Sequence, residues 1–328
     1  MIKRRALGAA ALAASAATGA EAQPTAGGAF PNRPMRLVVP FPPGGPNDLI
    51  GRVLAQKLSA LLGQPVVVEN RSGGGGVVGT DAVAKAAPDG HTVAVTSAGA
   101  LAIAPNLVAS MPYQVGRDLA PVALVATVPE LLAMHPSVPA NTLAELVAHA
   151  KARPGRLNFS SSGNGSMPHL AGEALCFAAV VEIVHVPYRG AAPAVTDLVA
   201  GQVQMMFADL PVLLPHVRSG ALRAVVLAGR ERAPLLAEVP TTAEAGMPQV
   251  LAENWYGLVA PARTPEPVLA ALRDATARAL LDPGVETALR EQGARAAGGM
   301  GGEEFAAFVR AEAARWGEVA RRSGATMD

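Results

Sequence analysis

Apolar residues recur along this chain with two periods, and the two kinds of segment alternate. Residues 47–62 carry apolar side chains on one broad face and stop at Gly63, which predicts a helix. A second helix is expected from about Thr80 to Ala87. Short valine-rich runs predict the strands around them: MRLVVPF (35–41), PVVVEN (65–70) and HTVAVTS (91–97). The order strand, helix, strand predicts right-handed crossovers and a parallel sheet.

A second series of the same kind follows the apolar run 121–136. Thr142 and Glu145 form a capping box, which predicts a helix that ends before Pro154. The remaining elements are predicted strands at 157–162, 182–188, 203–209, 221–229 and 253–261, and helices from about 166, at 192–200, 212–218, 265–281, 285–292 and 303–322. The strand at 253–261 is followed only by helices, so we expect it to return to the first sheet.

The economical architecture is α/β with two lobes, the second inserted into the first. We predict lobe 1 at 30–127 and 251–328 and lobe 2 at 128–250, joined by crossing segments near 125–132 and 250–257. Two lobes with two connections predict a hinged cleft, and ligand pockets favour such interfaces.

Charge and composition exclude several classes of partner. The 328 residues are 50% apolar, and 27 Lys and Arg nearly balance 26 Asp and Glu. With no basic run beyond the N-terminus, neither a nucleic acid nor an anionic membrane surface is expected as a partner. The one cysteine, Cys176, allows no intramolecular disulfide and is predicted to be a buried apolar residue.

The N-terminus has the layout of a secretory signal peptide, predicted at 1–22. A basic stretch, MIKRR, precedes a short apolar stretch of small residues, and Ala20-Glu21-Ala22 offers a cleavage site after Ala22. We therefore expect export to the periplasm. The pair Arg4-Arg5 leaves twin-arginine export open, although a plain Sec signal is favoured.

Two loops at the ends of predicted strands are suited to an anion. PFPPGGPND (40–48) combines prolines, which fix the flanking dihedrals, with glycines, which let backbone approach a ligand closely. SSSGNGSMP (160–168) offers three serine hydroxyls and bare backbone, and Ser166 can cap the helix that follows. Both loops run into a helix N-terminus, which favours negative charge.

Other chemistries fit the sequence poorly. Gly74, Gly76 and Gly79 match the dinucleotide spacing, but they follow the second strand, and no acid follows the next strand to take a ribose hydroxyl. The phosphate-binding motif of NTPases is missing, and the six histidines show no metal-ligand spacing. We expect no cofactor and no metal. A secreted hydrolase using Ser166 and His169 is the alternative hypothesis, although the loop departs from a nucleophile elbow.

Several segments, taken in order from residue 30 onward, resemble the tripartite tricarboxylate transporter substrate-binding proteins, or Bug receptors. They are residues 35–93, LNFSSSGNGSMPHLAGE, VHVPYRGAAPAVTDLVAGQVQMMF and VPTTAEAG. The resemblance implies a type II periplasmic-binding-protein fold that closes on a small carboxylate. It also implies a receptor without enzyme activity, a monomer, and membrane transporter subunits as partners.

The resemblance also implies a ligand-binding set. The loop 41–48 would clamp a carboxylate with backbone N–H groups, and the loop 161–166 would face it from the other lobe. The predicted ligand-binding residues are Phe41, Pro42, Gly44, Gly45, Asn47, Asp48, Val77, Ser97, Ser161, Ser162, Gly165, Ser166, His169, Tyr188 and Asp209.

Departures from the family pattern lie at Pro46, Asn47, Val77 and Ala208. They make the lobe 1 side of the predicted pocket less polar, so we predict a ligand with an apolar body beside its carboxylate. Arg189 is the nearest candidate cation for a second carboxylate.

Overall fold

The computed structural model describes residues 30–325, so the predicted signal peptide lies outside the described residues. The first part of the chain alternates strands and helices as predicted. Its elements are β1 (Met35–Val39), α1 (Pro46–Leu62), β2 (Val66–Asn70), α2 (Val77–Ala84), β3 (Thr92–Ser97), two short helical turns (Gly99–Ile103 and Ala104–Asn106) and the long strand β4 (Leu119–Met134).

The second part contains the remaining strands and helices. They are α3 (Leu143–Ala152), β5 (Asn158–Ser161), α4 (Met167–Ala179), β6 (Val184–Pro187), α5 (Ala191–Val199), β7 (Met205–Asp209), α6 (Leu210–Arg218), β8 (Arg223–Leu227), β9 (Glu253–Pro261), α7 (Glu266–Leu280), α8 (Pro283–Glu291), β10 (Arg295–Ala296) and α9 (Gly302–Ser323). The strand predicted at 253–261 has the same bounds as β9.

The described strands form one curled sheet in the order β2-β1-β3-β9-β4-β7-β5-β6, with β8 and β10 also paired to β4. The prediction of a parallel sheet holds for β1, β2 and β3 and for β5, β6 and β7. It is wrong for β8, the last strand of the second series, which pairs antiparallel with β4. The strands β4 and β9, for which no direction was predicted, also run antiparallel to their neighbours. These two strands pass between the two parallel groups instead of returning through a helical crossover, so they are not bound to the parallel direction.

β4 and β9 join the two groups of parallel strands. β4 pairs with β9 from Leu119–Pro261 to Pro129–Glu253, and its last residues pair with β7. The crossing predicted near 125–132 and 250–257 thus coincides with paired strands. The lobe boundaries at 127/128 and 250/251 stay a prediction.

Helix ends follow the predicted chemistry with one correction. Pro46 occupies the first turn of α1, and Gly63 ends it in the left-handed conformation. The Thr142 hydroxyl accepts a hydrogen bond from Glu145 N at 3.2 Å, as a capping box requires. The predicted start of α2 at Thr80 is wrong, because the four glycines 73–76 turn the chain sharply with positive φ and let the helix begin at Val77.

Among residues 30–325, no helix combines the length and the apolar character needed to span a bilayer. Cys176 is half-buried, and burial raises the pKa of its thiol to about 12, as expected for a structural cysteine.

Candidate functional site

A cavity of about 730 Å³ opens where the loops after β1, β3, β5, β6 and β7 converge. It lies at the carboxyl ends of the parallel strands, where open α/β sheets bind their ligands. Helices α5 and α6 and strand β9 complete its walls. Nine predicted ligand-binding residues line it: Phe41, Pro42, Gly44, Gly45, Asn47, Ser97, Ser162, Ser166 and Asp209.

The other six predicted residues lie behind this lining or beside it: Asp48, Val77, Ser161, Gly165, His169 and Tyr188. Val77 packs in the core with 9% of its surface exposed. The Tyr188 hydroxyl donates to Asp197 Oδ2 at 2.6 Å, within the same half of the chain. Whether these residues contribute to ligand binding stays a prediction.

The loop between β1 and α1 is held open by a buried carboxylate. Asp48 accepts hydrogen bonds from Gly44 N, Arg52 Nε and Asn70 Nδ2, each at 2.9 Å. Burial alone would raise the pKa of Asp48, but these donors outweigh it and lower the pKa. Gly76 has no side chain where the Phe41 ring passes, 3.0 Å from the position of a Cβ. Asp48 and Gly76 therefore fix the loop without entering the cavity.

Asn47 is the most informative side chain of this loop. It is 3% exposed and lines the cavity, yet within residues 30–325 neither its Oδ1 nor its Nδ2 has a hydrogen-bond partner. Buried amides are nearly always hydrogen-bonded in native proteins, so this one offers both a donor and an acceptor at the cavity wall.

The loop between β5 and α4 presents its serines from the opposite wall. Ser166 Oγ donates to Gly163 O at 2.7 Å and accepts from His169 N at 3.4 Å, which caps α4. Gly163 and Gly165 have φ of +133° and +69°, a backbone conformation that a side chain would strain. The resulting turn leaves Ser162 and Ser166 at the cavity surface.

Two stacked histidines support this loop from behind. The rings of His169 and His185 lie 3.9 Å apart between centroids and 11° from parallel. His169 Nδ1 accepts from Gly165 N at 3.2 Å, and His185 Nε2 lies 2.7 Å from Ser161 Oγ. Burial lowers the pKa of His169 to about 4, and burial together with His169 lowers that of His185 to about 3. Both rings are neutral at pH 7.

The floor of the cavity carries an acidic cluster that sequence reasoning found only in part. Asp209, Asn254 and Tyr256 line the cavity, and Glu130 faces Asp209 across the β4–β7 ladder. Asn254 Nδ2 donates to Asp209 Oδ1 at 3.1 Å, and the Tyr256 hydroxyl donates to Asp209 Oδ2. Glu130 is fully buried. A single acid inside the apolar run 121–136 is the signal that would have found it.

Burial dominates the titration of this cluster. It raises the pKa of Asp209 to about 6, although hydrogen bonds from Tyr256 and Asn254 oppose the shift. Burial, with the charge of Asp209, raises the pKa of Glu130 well above its usual range. Burial also raises the pKa of the Tyr256 phenol, so the phenol remains a donor at neutral pH.

The remaining wall is mostly apolar, from Ala191, Val195, Val199 and Val212 on α5 and α6. Arg189 and His216 also line the cavity, and Arg189 is exposed. Within residues 30–325, no group of three or more His, Cys, Asp or Glu side chains is placed to hold a metal ion.

Comparison with known proteins places this cavity in a family context. The family described as the tripartite tricarboxylate transporter family receptor matches residues 50–325. The protein BugT of Bordetella pertussis strain Tohama I is 40% identical over 312 residues, 95% of each chain.

Two solved structures align with this chain over nearly its whole length. The structure of a periplasmic transporter is 38% identical with a TM-score of 0.86, and the alignment covers 92% of this chain and 100% of that one. The structure of R. palustris Rpa4515 with adipate is 36% identical with a TM-score of 0.85, covering 90% and 99%. The predicted fold, that of a two-lobed periplasmic binding protein, is confirmed by these matches.

Proposed function

Because the chain belongs to the tripartite tricarboxylate transporter receptor family, we propose that it captures a small carboxylate in the cavity described above. The observation that carries the proposal is Asn47, a buried amide on the cavity wall whose polar atoms both lack a partner among the residues that the structure describes. It stands at the N-terminus of α1, beside the glycines of the 41–48 loop. The adipate in the structure of the R. palustris relative supports the same ligand class.

The site is suited to an anion without burying a countercharge beside it. The N-termini of α1 and α4, preceded by glycine-rich loops, approach the cavity from opposite sides. Backbone N–H groups there carry partial positive charge, and serine hydroxyls add donors. Each charge-assisted hydrogen bond contributes roughly 1.5–3 kcal/mol, so a few suffice for micromolar affinity after ordering costs.

Capture would involve closure of the two predicted lobes, 30–127 with 251–328 against 128–250. β4 and β9 connect the two groups of parallel strands and would serve as the hinge. The protein would reach the periplasm through the signal peptide 1–22, cleaved after Ala22. We further propose that it works as a monomer that delivers its ligand to membrane subunits of the transporter.

The hydrolase alternative is disfavoured by the geometry of the serines. The Ser166 hydroxyl donates to the Gly163 carbonyl, and the His169 ring accepts from Gly165 N. Ser161 does approach His185 at 2.7 Å, but a histidine with a pKa of about 3 is a poor general base at neutral pH. We therefore propose binding without turnover.

A thermal-shift screen of the chain from residue 23 onward tests this proposal. The panel contains mono-, di- and tricarboxylates, aromatic acids and acidic amino acids. A ligand at 100 times its Kd should add about 2.7 kcal/mol to the free energy of unfolding, which is several degrees in Tm. Ser166→Ala and Gly45→Trp should abolish the shift, whereas Ser323→Ala, at the end of α9, should keep it. No shift across the panel, with turnover of an ester or amide, would reject the receptor.

A further inference from the structure

The acidic cluster on the cavity floor joins three strands at the base of the site. Glu130 lies on β4, Asp209 ends β7, and Asn254 and Tyr256 lie on β9. Asn254 Nδ2 is also 3.1 Å from the Tyr256 hydroxyl oxygen, so the two donors contact each other as well as Asp209. Both are therefore directed toward the same carboxylate.

The cluster holds one proton on its two acids at neutral pH. Glu130 is 0% exposed and, in the described part of the chain, neither of its carboxylate oxygens meets a donor, so its charged form would be strongly destabilised. As a neutral acid opposite Asp209 in the ladder, it adds no second negative charge to the cavity floor. Asp209 then carries the negative charge and accepts hydrogen bonds from two neutral donors, Tyr256 and Asn254.

Asp209 is accessible to a ligand in a way that Glu130 is not. It lines the cavity, and the two side chains that donate to it, Tyr256 and Asn254, are uncharged. The negative charge of Asp209 repels the carboxylate of a ligand. That carboxylate is instead bound by the donor-rich loops 41–48 and 162–166. The cavity thus has a donor side and an acceptor side. Asn47 stands on the donor side, where its buried amide has no hydrogen-bond partner among residues 30–325.

We propose that the ligand carries, besides its carboxylate and apolar body, a hydroxyl or ammonium group whose hydrogen bond Asp209 accepts. This inference rests on the proposed function of the cavity. It distinguishes a donor-bearing carboxylate from a plain monocarboxylate and from a dicarboxylate with its second charge at the floor. A second carboxylate would instead require Arg189, the exposed cation on the same cavity.

A matched series of six-carbon acids tests the proposal by calorimetric titration at pH 7.5. The series is hexanoate, 2-hydroxyhexanoate, 6-hydroxyhexanoate, 2-aminohexanoate, 6-aminohexanoate and adipate. We expect at least one donor-bearing acid to bind about tenfold or more tighter than both hexanoate and adipate. Hexanoate or adipate as the tightest ligand would overturn the inference and leave the proposed function standing. Binding by none of the six, and by none of the wider panel, would reject the proposed function itself.

Variants of Asp209 then test whether this residue causes the tighter binding of the donor-bearing acids. Asp209→Asn should reduce the preference for an amino compound over hexanoate to less than threefold, and Asp209→Ala should do the same for a hydroxy compound. Glu253→Gln is the matched control, since this β9 acid lies 3.7 Å from Arg230 and does not line the cavity. A preference that survives both Asp209 variants would overturn the assignment.

The wild-type protein offers a second readout if the Asp209 variants fail to fold. Lowering the pH from 7.5 to 5 protonates Asp209, whose pKa is about 6, while more than half of the ligand carboxylate stays ionised, since such acids titrate close to a free Glu side chain. The groups around it are Glu130 and Tyr256, with Arg189 and His216 on the same cavity. The preference for an amino compound over hexanoate should fall at least fivefold over this range. An unchanged preference would contradict the inference.

Discussion

At the scale of single residues, the Glu130–Asp209 pair makes the protein less stable as the pH rises. Unfolded Asp and Glu titrate near pH 4, whereas the folded pair keeps a second proton up to about pH 6. Between those values the folded chain binds more protons than the unfolded chain, so the free energy of unfolding falls with rising pH. Glu130→Gln places a permanent donor beside Asp209 and relieves part of this loss.

We therefore expect the Tm of Glu130→Gln, relative to wild type, to rise between pH 4 and pH 8. The difference in the free energy of unfolding between the variant and wild type should change by about 2 kcal/mol over this range, which is roughly 5 °C in Tm. Differential scanning calorimetry across this range measures it, with Glu253→Gln as the control. A constant difference in Tm between Glu130→Gln and wild type would show that Glu130 carries no shifted proton.

The histidine pair behind the 162–166 loop changes the stability with pH in the opposite direction: it makes the protein less stable as the pH falls. Unfolded histidine takes a proton near pH 6.5, but His169 and His185 resist protonation down to about 4 and about 3. The unfolded chain binds more protons in this window, so stability is lost as the pH falls from 6.5 toward 4. Glu173, 3.8 Å from His169 Nε2, faces the pair and offsets part of the loss.

His169→Gln should consequently lose less Tm than wild type between pH 6.5 and pH 4.5, by a few degrees. His149→Gln, on α3 and outside the stack, should follow the wild-type slope. Equal slopes for wild type and His169→Gln in a pH series of thermal melts would contradict the assignment of neutral stacked rings.

At the scale of elements, the contact of α4 with β5 depends on a glycine. A Cβ at Gly172 would lie 2.3 Å from Phe159 Cε2, in a ring that is itself fully buried. Alanine gains about 1 kcal/mol in helix propensity, but overpacking costs about 1–3 kcal/mol. Gly172→Ala should therefore lower the Tm by a few degrees. Adding Phe159→Leu makes room for the methyl group, so the double variant should lose less than the sum of the singles. Additive losses in denaturant titrations would argue against this contact.

The sequence predicts elements well where one period dominates. The run ENWYGLVAP has the bounds of β9, because an uninterrupted apolar stretch that contains Trp255, Tyr256 and Val259 ends at Pro261. The helical turns at 99–106 were not predicted, since Gly, Ala and Pro there give no clear period. The full length of β4 was also not anticipated. Pro121 and Pro129 interrupt its pattern, yet the strand continues past both with irregular register near Pro121.

At the scale of the molecule, the predicted loops converge on one cavity because parallel strands bring their carboxyl ends to the same edge. That geometry is readable from the sequence, and nine predicted residues meet there. The acceptor side of the cavity, the floor around Asp209, could not be predicted from the sequence in this way. It needs the antiparallel pairing of β4 with β7, which sets Glu130 opposite Asp209, and the pairing of β4 with β9, which brings Asn254 and Tyr256 to the same place. Such long-range register has no local signal.

A close approach between the loops of the two proposed lobes offers a test of closure. Gly99, just after β3, faces Gly165, just before α4; a methyl group on Gly99 would lie 3.8 Å from Gly165 O and 3.4 Å from Gly75 O. Gly99→Ala therefore fits with ordinary contacts, whereas the branched side chain of Gly99→Leu would hold the lobes apart. Gly99→Leu should weaken binding of the tightest carboxylate of the panel by about tenfold or more, or ~1.4 kcal/mol, and Gly99→Ala by less than threefold. Small-angle X-ray scattering should show wild type and Gly99→Ala becoming more compact with ligand and Gly99→Leu failing to do so. If Gly99→Leu compacts as wild type does, the lobes do not close across this contact.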